Sequence, residues 1–156
     1  MKLLTTLLLL TMLPMAAMAA ELANKKALTL QIAKQIAAAA EAEATKNGWT
    51  VVIAILDDGA NLIYLQRMDE TQIGSIEVAQ AKGRSAVMFK RPTKAFEEGL
   101  AGGRQALLKL PGAIPIEGGI PLMVDGKLVG AIGVSGVQSN QDGQIAQAGA
   151  NAFSKK

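Results

Sequence analysis

The chain has 156 residues, a formal charge of +3, and neither cysteine nor histidine. That composition excludes disulfide staples, thiol or imidazole catalysis, and any His- or Cys-ligated metal centre. The basic residues are dispersed, the densest pairs being Lys25-Lys26 and Lys90-Arg91, and neither pair sits among stacking aromatics, so nucleic acid is not an expected partner.

Lys2, the apolar run Leu3 to Leu13 and the small-residue pattern Ala17-Met18-Ala19 read as a signal peptide over residues 1–19, cut after Ala19. The apolar run is shorter than the ~20 residues a spanning helix requires, so no membrane span is expected once it is removed. Lys2 is the only charged residue it carries, which leaves the remainder at +2. Residues 20–156 then form one exported domain, periplasmic or secreted, long enough to bury a sizeable core. In an oxidising compartment without cysteine, stability falls to core packing and oligomerisation.

Leu28, Ile32 and Ile36 recur at helical spacing and Asn47-Gly48 is a stop, predicting an alanine-rich helix from Lys25 to Lys46. Trp49 to Leu56 reads as a central strand, apolar on both faces. Asp57-Asp58-Gly59 turns the chain into a second strand, Asn61 to Met68, with Ile63, Leu65 and Arg67 on one face and Leu62, Tyr64, Gln66 and Met68 on the other. Ile73, Ile76, Ala79, Gly83 and Ala86 or Val87 form one stripe of a helix over Gly74 to Phe89, ended near Pro92. Thr93 is the expected cap of a short helix with Glu97 and Glu98 near its positive end.

Ile114 to Ile116 and Ile120 to Val124 read as short strands, and Asp125-Gly126 as a hairpin turn into the strand Lys127 to Ser135. A last helix, Asn140 to Ser154, is expected behind a capping box of Ser139 and Asp142. The pattern therefore predicts an α/β (α+β) domain, with helices on both faces of a mostly antiparallel five-stranded sheet.

Arg67-Met68-Asp69, Ala79 to Lys82, Pro92-Thr93, Gly118-Gly119-Ile120-Pro121, Asp125-Gly126, Gly130 to Gly136 and Gln141-Asp142 together resemble the GlcG/HbpS family, related to the C-terminal domain of PduO-type cobalamin adenosyltransferases. The resemblance spans essentially all of residues 20–156. It implies a profilin-like three-layer α-β-α domain, symmetric homo-oligomers, and haem as a ligand of some members, with others found beside glycolate or diol metabolism. Glu70, Gly83 and Val137 depart from residues common in the family at those places. With no imidazole or thiolate, a haem iron would be left Met68, Met88, Met123, Tyr64 or a lysine.

Arg67 and Asp69 end a strand where a loop begins; the guanidinium there can fork onto a ligand carboxylate or haem propionate, or the two can form an internal ion pair. Lys82 either reaches a pocket or oligomer interface, or solvates a helix face. Tyr64 and Met68 can flank a flat ligand or pack in the core. Gly118-Gly119 can offer backbone N–H groups to an anion, or simply make a turn. Asp142 reads as a structural cap, and Ser135, lacking a histidine partner, is no triad nucleophile. Two functions follow: an exported binder of haem or another small anionic ligand, and, as the alternative, a periplasmic enzyme on a small hydroxy or oxo acid, with Asp69 as acid or base and Arg67 or Lys82 fixing the carboxylate.

Overall fold

The computed structural model describes residues 21–154, so the signal segment 1–19 lies outside the described residues. Helix α1 (Leu30–Lys46) begins later than Lys25 because Thr29 takes the cap, its Oγ1 accepting from Ile32 N at 3.3 Å. It ends as its sequence demands, at Asn47 followed by Gly48 with φ +69°. Strands β1 (Val52–Asp57) and β2 (Leu62–Arg67) form the expected hairpin. Its turn is closed by the Asp57 side chain, whose Oδ1 accepts from Gly59 N and Asn61 N, both at 2.8 Å.

Helix α2 (Ser75–Phe89) stops where Lys90 turns left-handed at φ 51°. Helix α3 (Lys94–Ala101) follows with Thr93 at its N-cap position, but the Thr93 side chain makes no capping bond. Its Oγ1 instead accepts from Gly119 N at 2.9 Å and the Thr93 N donates to Gly119 O at 3.0 Å, stitching the loop to the sheet. After a 3₁₀ turn, Gln105–Lys109, come β3 (Gly119–Val124), β4 (Lys127–Ser135) and α4 (Ser139–Ser154).

The sheet has four strands, in the order β2-β1-β4-β3, and all three ladders are antiparallel. The fifth strand expected at Ile114 to Ile116 does not form. Pro115 has no N–H to give a ladder, and the Ile114 N–H is taken by Ser85 Oγ on α2 at 3.1 Å. Pro121 is tolerated within β3 because β3 is an edge.

The central strands β1 and β4 are buried on both sides, as their apolar runs predict. Ile53, Ile55, Ile132 and Val134 meet Ala33, Ile36, Ala37, Ile145 and Ala146 of α1 and α4 on one face. Val52, Ala54 and Leu56 meet α2 on the other, at Ala79. The result is three layers, helix on sheet on helix. The α2 layer lies very close: a Cβ on Gly133 would overlap the Ala79 carbonyl oxygen and lie 2.6 Å from Gly83 N. No described helix is long and apolar enough to cross a membrane.

Candidate functional site

Ala79, Lys82, Gly83 and Ala86 stand at i, i+3, i+4 and i+7 on α2, so Lys82 occupies the stripe that faces the sheet. It is neither a solvated face nor an open pocket wall. Lys82 is 1% exposed, and its Nζ donates to Asp142 Oδ2 at 2.8 Å, with Asp142 itself 2% exposed. Asp142 Oδ1 accepts from Val137 N at 3.2 Å. The return arm of the capping box belongs to Gln141, whose Oε1 accepts from Gln138 N at 3.1 Å, while Asp142 reaches further back and Ser139 Oγ donates to Glu97 at 2.7 Å. Asp142 therefore closes the start of α4 and also neutralises a buried ammonium. Burial pushes its carboxyl up, against the opposing pull of Lys82 and the N–H groups of Val137 and Gly136.

Gly118 and Gly119 lie directly on this pair. A Cβ on Gly118, at φ +129°, would stand 2.9 Å from Lys82 Nζ and 3.0 Å from Asp142 Cβ; one on Gly119 would overlap the Lys82 carbonyl and meet Thr93 Cγ2 at 2.8 Å. Only glycine admits that approach. The two glycines line a cleft of about 370 Å³ together with Pro92, Lys94, Glu117 and Asn140. Lys94 Nζ is 3.2 Å from Glu117 Oε2 and 3.3 Å from its Oε1. The Glu117 N–H donates to the Glu97 carboxylate, so Glu97 braces this loop rather than serving the α3 dipole.

Arg67, Met68 and Asp69 line a separate shallow hollow, about 370 Å³, with Glu41, Thr50 and Gln66. Arg67 and Asp69 are exposed, and no ion pair between them occurs among the described residues. Arg67, on β2, pairs with Val52 of β1 and stands at the opposite edge of the sheet from Gly119 on β3. Three strand spacings, about 14 Å, separate those edges. The structure thus gathers Lys82, Gly118 and Gly119 in one place and leaves Arg67, Met68 and Asp69 in another. The enzyme trio of Asp69, Arg67 and Lys82 is not assembled. Tyr64 and Met68 pack half-buried against the α1–α4 core, with Tyr64 OH 3.1 Å from Gln66 Oε1.

A third hollow, about 350 Å³, is walled by Ile32, Ile36, Val124, Ala152 and Phe153 and opened on by Met123. Asp125 also lines it, and adjoining hollows bring Lys127 and Lys26 to its rim, Lys26 Nζ donating to Asp125 Oδ2 at 2.8 Å. Met123 is 40% exposed, in contrast to the half-buried Met68.

Residues 28–151 match the family model described as "Haem degrading protein HbpS-like". The chain belongs to the HbpS-like family. Protein GlcG of Escherichia coli K12 is 43% identical over 112 residues, 72% of this chain and 84% of the relative. Among solved structures, a double mutant of HbpS from Streptomyces reticuli superposes with a TM-score of 0.78 at 33% identity, covering 92% of this chain and 98% of that one. A structure titled as a PduOC–heme complex superposes with a TM-score of 0.74 at 30% identity, covering 81% and 95%. The HbpS-like fold is thus the α+β arrangement seen here, with four helices and a four-stranded antiparallel sheet. The sequence missed Lys94, Glu117 and Asn140 as cleft residues, since nothing in their local pattern marks them. Gly118-Gly119 carried a signal in their doubled glycine, and Lys82, sealed beneath them, in its place on the small-residue stripe.

Proposed function

We propose that this chain is an exported ligand-binding protein of the HbpS-like family, working in the periplasm or outside the cell, whose ligand is haem or another small anionic molecule. Haem is suggested by the PduOC–heme relative. The observation on this chain that supports it is the Met123 groove. Ile32, Ile36, Val124 and Phe153 give a flat apolar ligand its walls, Met123 offers a thioether, and Lys127 stands where a carboxylate would be met, while Lys26 is held at 2.8 Å by the Asp125 that also lines the groove. Tyr64 and Met68 are less suited, being occupied by the core.

Haem, when bound, supplies an iron centre for redox and small-molecule chemistry. The chain's own part is to exclude water with the groove walls and to hold the ligand by its acidic edge. Arg67 and Asp69, open and without an ion-pair partner among the described residues, are the second proposed anchor.

Hemin titration of the 20–156 protein tests this reading. A saturable Soret change is expected, weakened in Met123→Ala and retained in Met68→Ala and Arg67→Ala. Loss in Arg67→Ala or Met68→Ala instead moves the site to the β2 end, and no saturable change at any ratio rejects haem. Homo-oligomerisation is part of the proposal, supported by the exposed Met88, Leu108, Leu110 and Ile116, and native mass spectrometry reads the subunit number.

A further inference from the structure

We infer that the cleft over Gly118-Gly119 is a binding site for small carboxylate anions, and that Glu117 fills it with its own carboxylate when no ligand is present. The proposal concerns a different part of the surface from the Met123 groove and does not depend on haem.

The seat is built into α4. A Cβ on Gly143 would overlap Glu117 Oε1 and lie 2.6 Å from its Cδ, so the helix carries a glycine where the carboxylate rests. That carboxylate lies one turn into a 16-residue helix, where the positive end of the backbone dipole favours an anion. Lys94, at the start of α3, faces it through both oxygens at 3.2 and 3.3 Å. Below lie Gly118 and the sealed Lys82–Asp142 pair, which fix the floor. Asn140 adds a side-chain amide to the wall.

The occupant is held weakly although its seat is well formed. Glu117 is only 17% exposed at its side chain while Lys94 is 53% exposed. A pair open to water on one side is weak, because solvent screens it and both side chains give up freedom to form it, so it yields readily to a competitor. The loop does not depend on it, because the Glu117 N–H is anchored separately on Glu97. An external carboxylate can therefore take the Lys94 contact and the glycine seat while Glu117 turns outward. Space of about 370 Å³ suits a ligand of a few carbons.

The test is calorimetric titration of sodium malonate into the 20–156 protein at low ionic strength, with wild type, Glu117→Gln, Lys94→Met and the double variant, each checked by thermal melt. Removing the internal competitor should tighten malonate about tenfold in Glu117→Gln, equivalent to ~1.4 kcal/mol. Lys94→Met and the double variant should show no saturable heat. Amide shifts of Gly118, Gly119 and Gly143 in wild type on adding malonate give a second readout that needs no variant. The inference is overturned if Glu117→Gln binds no tighter than wild type, if the double variant binds as well as Glu117→Gln, or if those glycine amides do not move. Any of these leaves the hemin result untouched, and a failed hemin titration leaves this one untouched.

Discussion

Lys82 Nζ on α2 lies 2.8 Å from Asp142 Oδ2 on α4, and this one contact ties a helix on one face of the sheet to the start of a helix on the other. Neither charge reaches water. Breaking such a pair from one side leaves an uncompensated buried charge, at a cost of about 3–5 kcal/mol, whereas replacing both partners by apolar groups is often close to neutral. Lys82→Met and Asp142→Leu should each lower urea stability by roughly that amount, and the double variant should recover most of the loss. Additive losses in the cycle would show that the two side chains act independently.

The same carboxyl sets a pH response. Burial raises Asp142 above the ordinary aspartate range, more than Lys82 and the Val137 and Gly136 N–H groups lower it. The folded chain thus binds this proton more readily than the unfolded one, which titrates near ~3.9. Stability contributed through Asp142 falls as pH rises through the raised folded value and returns as pH drops toward the unfolded one. Urea midpoints measured from about pH 4 to 7 should lose that downward component in Asp142→Asn, whatever its absolute stability. An unchanged slope would remove Asp142 from the titration.

Asp57 has the opposite sign. Burial works against its charge, but hydrogen bonds from Asn61 and Gly59 prevail and hold its carboxyl below the usual value. Its contribution is present above the unfolded pKa and lost as pH falls through the folded one. Asp57→Ala should cost about 1–2 kcal/mol near neutral pH and flatten the acid limb of the stability profile. A loss that persists undiminished at acid pH would trace to the hairpin backbone rather than to the charge.

Two glycines should respond in opposite directions. At Gly133 an added methyl meets the Ala79 carbonyl and the Gly83 backbone, which no side-chain rotation relieves, so Gly133→Ala should cost more than about 3 kcal/mol. Gly74 has ordinary helical dihedrals, φ −57° and ψ −25°, and nothing within 4 Å of a Cβ. Gly74→Ala should be neutral or stabilise by up to about 1 kcal/mol. Thermal melts of the two variants separate these cases, and equal shifts would contradict the close packing of α2.

Much of the architecture was legible from pattern alone. The unbroken apolar run Val51 to Leu56 announced a strand covered on both faces, and the stripe through Ala79, Gly83 and Ala86 announced a helix that packs closely. Where reading failed, a local preference lost to a distant partner. Thr93 is a good cap residue, yet its hydroxyl went to Gly119. Ile114 to Ile116 is apolar enough for a strand, yet Ser85 claimed its donor.

The sequence by itself determined the element types, the two apolar faces of β1 and β4, and the absence of imidazole and thiol from any site, because periodicity and composition are local properties of the chain. Tertiary structure alone decided that Lys82 meets Asp142, that Arg67 and Gly119 stand on opposite edges of the sheet, and that Glu117 rests on Gly143. Those outcomes depend on which strand edge and which helix end share a layer, and residues 60 apart in sequence, as Lys82 and Asp142 are, carry no mark of it in their neighbours.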